Sequence, residues 1–490
     1  MLDATAIREL GIPGIVLMKR AGQALLAALT ARWPAIGRIC VVCGSGNNAG
    51  DGYVVAGLAL ARGLAVQLLQ TGDPARLHGD AARARDWAAT QGVRIDRIEQ
   101  ATGPIEIVGD VIVDALLGTG ITGTVRPAYA EAIAMIAEAG RPVVAVDVPS
   151  GLCSDTGRVL GRAVKADLTV TFIAVKRGLL TGAGPALTGT LVYDDLDLPA
   201  ALRTGGAGIA TLRWADVRAE FPRRTATAHK RDAGHVAILG GDHGMGGAVA
   251  MAGEAALRVG AGLVSVATRS SHLSAILGRR PELMVRAIDE AAGDAAQVAA
   301  IDLQALLERA TVVAVGPGLG QGPWGQAVLA AAVASGRPLV LDADALNLCA
   351  ASGARPKAAV VTPHPGEAAR LLGTDTTGVQ ADRFAAVRSL AQQFGAAAVL
   401  KGAGSLVDDG TEVSICLHGN PGMASAGMGD VLTGVIAGLL AQGLLPAAAA
   451  RLGVALHSRA GDQAAGARGQ VGLLATDLIA AFAALLNAGD

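Results

Sequence analysis

Short continuous apolar runs alternate with longer amphipathic stretches along most of the chain. In its N-terminal part, residues 39–43, 65–69, 93–98, 111–114, 143–147 and 168–173 are apolar segments of strand length. Helix-length stretches lie between them, such as 51–62, 79–90 and 128–139, and residues 191–195 read as a last strand. Strands buried on both faces lose the polar alternation of a half-exposed sheet. The pattern therefore predicts a mostly parallel sheet with helices on both sides.

The alternation then stops. Residues 200–232 hold Gly205-Gly206, scattered arginines and a polar run from Arg223 to Arg231. A linker is expected here, placed at residues 206–228. Beyond it the pattern restarts, with strands expected at 235–239, 263–268, 311–315, 338–342, 359–362 and 398–400. The reading is two α/β domains, 1–205 and 229–490, without an internal repeat, since the motifs of the two halves differ.

Residues 431–450 carry no charge. Gly434, Gly438, Gln442, Gly443 and Pro446 interrupt the run, so two buried helices joined by a turn are expected rather than a membrane span. With 490 residues, 51% of them hydrophobic and 17% charged, the chain can bury large cores. Aromatics make up only 2%, which leaves Ala, Val, Leu and Ile to fill those cores. A net charge of −1, with no basic tract, gives no support to nucleic-acid binding. Five cysteines are too few for a disulfide framework. Cys40 and Cys43 lie three apart on an expected strand and so point to opposite faces, as core side chains rather than a redox pair. The N-terminus lacks the basic and apolar regions of a signal peptide, and a cytoplasmic location is expected.

The chemistry-bearing motifs follow the strands. In the second domain these are Gly316-Pro317-Gly318-Leu319-Gly320, Asp342-Ala343-Asp344, Thr362-Pro363-His364-Pro365-Gly366-Glu367 and Lys401-Gly402-Ala403-Gly404-Ser405. Asn420 to Asp430 forms a loop of small residues that runs into an apolar helix. Backbone N–H groups at such a helix start can hold a phosphate, and Asp430 beside it can take a proton from a hydroxyl. Taken singly, each motif is as well explained by a turn or helix cap. Their joint order resembles the ADP/ATP-dependent NAD(P)H-hydrate dehydratase family, of ribokinase-like fold, over residues 230–490. The resemblance implies that Lys401, Gly402, Ala403, Gly404, Ser405 and Gly429 contact ADP or ATP, which acts with Mg²⁺. It also implies that Ala248, Gly318, His364 and the catalytic Asp430 contact the hydrated dinucleotide. Position 426 is alanine where such loops often have glycine, which requires φ below zero.

In the first domain, Gly44-Ser45-Gly46-Asn47-Asn48-Ala49-Gly50-Asp51 joins a strand to a helix without matching the dinucleotide fingerprint. Asp114 and Ser150 stand at or just beyond the ends of two further strands. One carboxylate with neutral oxygens suits a low-charge cation. Together these motifs resemble the NAD(P)H-hydrate epimerase family, a Rossmann-like three-layer α/β/α fold, over residues 1–200. The resemblance implies K⁺ ligands at Asn48, Asp114 and Ser150. It implies substrate contacts at Asn47, Asn48, Ala49, Gly50 and Asp51, and at Gly118, Thr119, Gly120, Ile121, Thr122, Gly123 and Thr124. It implies a contact at Asp147 too, and the position of that carboxylate between a strand end and Ser150 makes it the expected acid–base residue. Phe172 and Lys176 extend the similarity.

The whole chain is thus similar to fused NAD(P)H-hydrate repair enzymes, with small-molecule substrates and a homo-oligomeric state expected. Resemblance to bacterial-type fusions favours ADP over ATP. Two other readings compete: a ribokinase-like hydroxyl kinase in the second half, and a non-catalytic nucleotide-binding or interaction module in the first.

Overall fold

The computed structural model describes residues 2–103, 105–199, 209–289 and 303–488. The chain divides into two compact units, Met1–Gly208 and Ile209–Asp490.

In the first unit the described strands are β1 (Arg38–Cys43), β2 (Ala65–Gln70), β3 (Ile95–Arg97), β4 (Val111–Ala115), β5 (Val143–Val146), β6 (Leu168–Phe172) and β7 (Thr190–Asp194). Their order is β3-β2-β1-β4-β5-β6-β7, and every neighbouring pair is parallel. Residues of β4, β5 and β6 are buried throughout, as the unbroken apolar runs predict. Two core layers cover the two faces of the sheet. Ile39, Val41 and Cys43 enter one, Cys40 and Val42 the other. The paired cysteines therefore face opposite ways. Both thiols are free, and burial pushes Cys40 up to about 12 and Cys43 well above its usual range.

The winding direction reverses between β1 and β4. The loops that leave these two strands part there, opening the crevice in which ligands of open α/β sheets bind.

The second unit adds β8 (Ala210–Thr211), β9 (His235–Leu239), β10 (Leu263–Thr268), β11 (Met284–Ala287), β12 (Val312–Val315), β13 (Leu339–Leu341), β14 (Val360–Val361), β15 (Ala397–Leu400), β16 (Leu406–Asp408) and β17 (Val413–Ile415). The order is β11-β10-β9-β12-β13-β14-β15-β16-β17-β8. It is parallel from β11 to β15, then closes with the antiparallel hairpin β15-β16-β17. Here the winding reverses between β9 and β12.

The segment expected as a linker is partly structured. It carries β8, parallel to β17, and the helix Trp214–Ala219. Leu212 and Val217 from it are buried in the core of the second unit. Two anchoring side chains are too few to show as a periodic pattern, so polar composition dominated the reading. Residues 200–208, where the expected boundary falls, lie outside the described residues. The uncharged run becomes the helices Met428–Ala441 and Pro446–Arg468, joined by a short turn. Among the described residues no helix is long and apolar enough to cross a membrane.

Candidate active sites

In the first unit, β1 leads through Gly46 into the helix Asn47–Ala61, whose start has no side-chain cap. Such a helix start offers N–H groups to an anion. Asn47, Asp51, Thr119, Asp147 and Lys176 line a cavity of about 540 Å³, with Leu17, Met18 and Phe172 among its apolar walls. Ala49 and Gly50 are buried and do not line the cavity. Of the loop 118–124, Thr119 reaches the cavity wall. Gly120, Thr122, Gly123 and Thr124 are exposed, and Gly118 and Ile121 are half-buried.

Asn48 and Ser150 meet on the Leu117 peptide, and Ser150 ties it to Asp114. Asn48 Nδ2 donates to the Leu117 carbonyl at 3.2 Å, and Leu117 N donates to Ser150 Oγ at 2.9 Å. Ser150 donates to Asp114 twice, from Oγ at 2.5 Å and from its backbone N at 2.8 Å. Asp114 is fully buried, and burial pushes its carboxyl up to about 6 against the pull of these bonds. One carboxylate ringed by a hydroxyl, a side-chain amide and a carbonyl is a donor set for a monovalent cation. Among the described residues, no group of three or more His, Cys, Asp or Glu is arranged to hold a metal ion.

In the second unit, Asp430 stands in the first turn of the helix Met428–Ala441, after Gly427 at φ +87°. A Cβ at Gly427 would come within 2.5 Å of the Met251 methyl, so both conformation and space require glycine there. Ala426 is not among the residues of positive φ, which meets the condition set for it.

Lys401, at the end of β15, turns its ammonium into a carboxylate cluster. Its Nζ lies 2.7 Å from Asp342 Oδ1 and 3.8 Å from Glu367 Oε2. Thr433, one helical turn beyond Asp430, donates to the other Asp342 oxygen at 2.8 Å. A Cβ on Gly429 would stand 3.2 Å from Lys401 Nζ and 3.6 Å from Asp342 Oδ2. The positive charge thus lies beside the start of the helix Met428–Ala441. Burial drives Asp430 up to about 7, helped by the Asp342 charge and opposed by Lys401. Burial also raises Glu367. Burial pulls Asp342 the same way, but Lys401 and the hydroxyls of Thr433 and Thr362 outweigh it and hold that carboxyl low.

The remaining expected contacts border this cluster. Gly402 and Ala403 are exposed, Gly404 and Ser405 half-buried. Beneath them Arg383 Nη2 donates to the carbonyls of Leu400 and Lys401, at 3.2 Å each. A Cβ on Gly318 would lie 3.2 Å from Ala248, so these two positions are neighbours across the β9/β12 reversal. His364 caps the helix Pro365–Leu372, its Nδ1 accepting from Gly366 N at 2.9 Å and from Glu367 N at 3.4 Å. Its Nε2 is 3.3 Å from Glu367 Oε1. The imidazole is therefore engaged on both sides by the cap.

Four residues absent from the expected site take part: Asp342, Glu367 and Thr433 around Lys401, and Lys176 beside Asp147. Asp342 and Glu367 were visible inside their motifs, and Thr433 lies one turn from Asp430. In the sequence Lys176 only extends the epimerase similarity, with no role given to it.

Known proteins resemble both units. The NAD(P)H-hydrate dehydratase family model matches residues 236–483, and that of the YjeF-related protein N-terminus matches 14–178. A bifunctional NAD(P)H-hydrate repair enzyme of Coxiella burnetii is 48% identical over 98% of this chain and 96% of its own. The Escherichia coli enzyme of that description is 43% identical over 99% and 92%. The Bacillus subtilis ADP/ATP-dependent NAD(P)H-hydrate dehydratase, co-crystallised with ATP/Mg²⁺, superposes with a TM-score of 0.50 at 28% identity, covering 57% of this chain and 98% of that one. Near-complete coverage on both sides, together with the two site-bearing units, shows that the chain belongs to the bifunctional NAD(P)H-hydrate repair enzymes.

Proposed function

We propose that the first unit interconverts the two C6 epimers of hydrated NADH or NADPH, and that the second dehydrates one of them at the expense of ADP or ATP. The observation that carries this reading is the presence, in one chain, of two switch-point sites. Each has a carboxylate at the mouth of an anion-binding helix start or cavity. Hydration yields both epimers, and a stereospecific dehydratase uses one, so an epimerase in the same chain makes both recoverable.

In the second unit Asp430 takes the proton of the C6 hydroxyl as its oxygen attacks the terminal phosphoryl group of ADP or ATP, breaking the bridging P–O bond and releasing AMP or ADP. The ring nitrogen then expels phosphate, and loss of a C5 proton restores the double bond. Backbone N–H groups at Gly427 and Gly429 face the transferred phosphate, with the Lys401 charge beneath them. Mg²⁺, when bound, neutralises charge on the nucleotide phosphates. Asn48, Asp114 and Ser150 would hold K⁺ at the first site. A homo-oligomeric state and a cytoplasmic location are part of this reading.

Incubation with mixed hydrate epimers, ADP and Mg²⁺ should return the reduced-nicotinamide absorbance and consume both epimers. A hydroxyl kinase would instead release a phosphorylated substrate, and a non-catalytic first unit would leave one epimer to disappear only at the spontaneous rate. Either result overturns the corresponding half of the proposal.

Two further outcomes are expected. Gly429→Val puts a branched side chain against Lys401 and into the phosphate position, and turnover should fall by about 10²–10³ with the fold retained. Unchanged kinetics in a correctly folded variant would remove the anion hole from the mechanism. Crystals soaked in rubidium or thallium salt should show an anomalous peak among Asn48, Asp114 and Ser150, whereas a divalent ion there would contradict the K⁺ assignment.

A further inference from the structure

Asp147 holds an unusual backbone. Its φ is +65°, in the left-handed region that non-glycine residues other than Asn and Asp seldom enter, and Ile173 across the cavity has φ +66°. Such conformations persist only where neighbouring contacts over-determine them. Here the contacts fall on one side of the carboxylate. Oδ1 accepts from Thr171 Oγ1 at 3.1 Å, from Phe172 N at 3.1 Å and from the Lys176 ammonium in a short contact. No hydrogen bond to Oδ2 occurs among the described residues, and Asp147 lines the cavity.

Lys176 is equally committed. An ammonium has three N–H bonds to donate. Those of Lys176 meet Asp147 Oδ1, the Phe172 carbonyl at 2.8 Å and Thr171 Oγ1 at 3.3 Å. Its side chain is 19% exposed, that of Asp147 17%. With three acceptors already in place, the lysine has no proton left to offer a ligand and acts through the aspartate.

We propose that Lys176 is a positioning residue for epimerisation, which with Thr171 pins Asp147 through Oδ1 and leaves Oδ2 as the oxygen presented to the substrate. This rests on reading Asp147 as the acid–base group. The pair spans the strand-end loops of β5 and β6, so the lysine converts the separation of two strands into a fixed aim for one oxygen. A misplacement of about 1 Å can cost on the order of 10²-fold in rate.

The test uses the full chain, mixed hydrate epimers, ADP and Mg²⁺, and follows loss of the epimer that the dehydratase leaves behind. Disappearance of the other epimer controls for folding and nucleotide use. Lys176→Met should lower kcat for epimerisation by about 10–100-fold while KM moves less than about threefold. Lys176→Arg should recover much of the loss, and added ethylamine should partly restore Lys176→Ala, which a merely structural role would not permit. Thr171→Val should lose roughly three- to tenfold by loosening the same oxygen. If Lys176→Met keeps normal kcat while Asp147→Asn loses it, the positioning role is wrong and the reading of Asp147 stands. If both keep normal kcat, Asp147 itself is misassigned. A rise in KM alone would make Lys176 a substrate ligand and overturn the proposal. Should Lys176→Met fail to fold, the Thr171→Val rate and the ethylamine response decide the matter by the same criteria.

Discussion

Asp430→Asn should lower ADP-dependent dehydration by on the order of 10²–10⁴ while leaving nucleotide binding near its normal strength. Asparagine keeps the size of the side chain but cannot take the hydroxyl proton. The site also makes a pH prediction. Burial, reinforced by the neighbouring Asp342 charge, drives Asp430 up to about 7 despite Lys401. A general base works when deprotonated, so kcat/KM should fall about tenfold per pH unit below that value and level off above it. In Asp430→Asn the low residual rate should lose this inflection. A variant with near-normal turnover, or an unchanged pH profile, would remove Asp430 from the chemistry. Nucleotide binding measured by calorimetry separates this outcome from collapse of the Lys401 cluster.

The second large effect is expected at Asp147. Inverting C6 requires its C–O bond, or the ring C–N bond, to open and re-form on the other face. The ring nitrogen drives either opening, and a carboxylate moves the proton involved. Asp147→Asn is the sharper variant, because asparagine tolerates the left-handed backbone that Asp147 occupies, whereas alanine at φ +65° adds strain. Epimerisation should drop by about 10²–10⁴, to a rate near the spontaneous one. The epimer used directly by the dehydratase should still disappear at the normal rate. Rapid loss of both epimers would show that another group catalyses the inversion.

The sequence made both sheets legible, together with most of the positions that line them. Strands β1 to β7, β9, β10 and β12 to β15 fall where the pattern puts them, within a few residues; most read as unbroken apolar runs because both faces are buried, whereas the edge strands β3 and β7 are only partly buried. The strands it missed are short or at an edge. β8, β16 and β17 have two or three residues each, and β11 at the sheet edge is only partly buried.

What the chain determines alone is therefore the order of elements and the chemical groups at strand ends and helix starts. Those groups include Asn48, Asp114, Asp147, Lys401 and Asp430. Local spacing sets them, because a strand followed by a glycine-rich turn and a helix is encoded within a dozen or so residues. The pairings among them belong to the tertiary structure. Lys401 turns toward Asp342, 59 positions away, and Thr433 reaches the same carboxylate from 91 positions away. Asp147 meets a lysine from the next strand's loop, and its φ of +65° exists only because contacts across two strands hold it. Sheet order decides these meetings. Periodicity along one segment says which face is buried, whereas the neighbour across a parallel crossover is chosen by the packing of the whole unit.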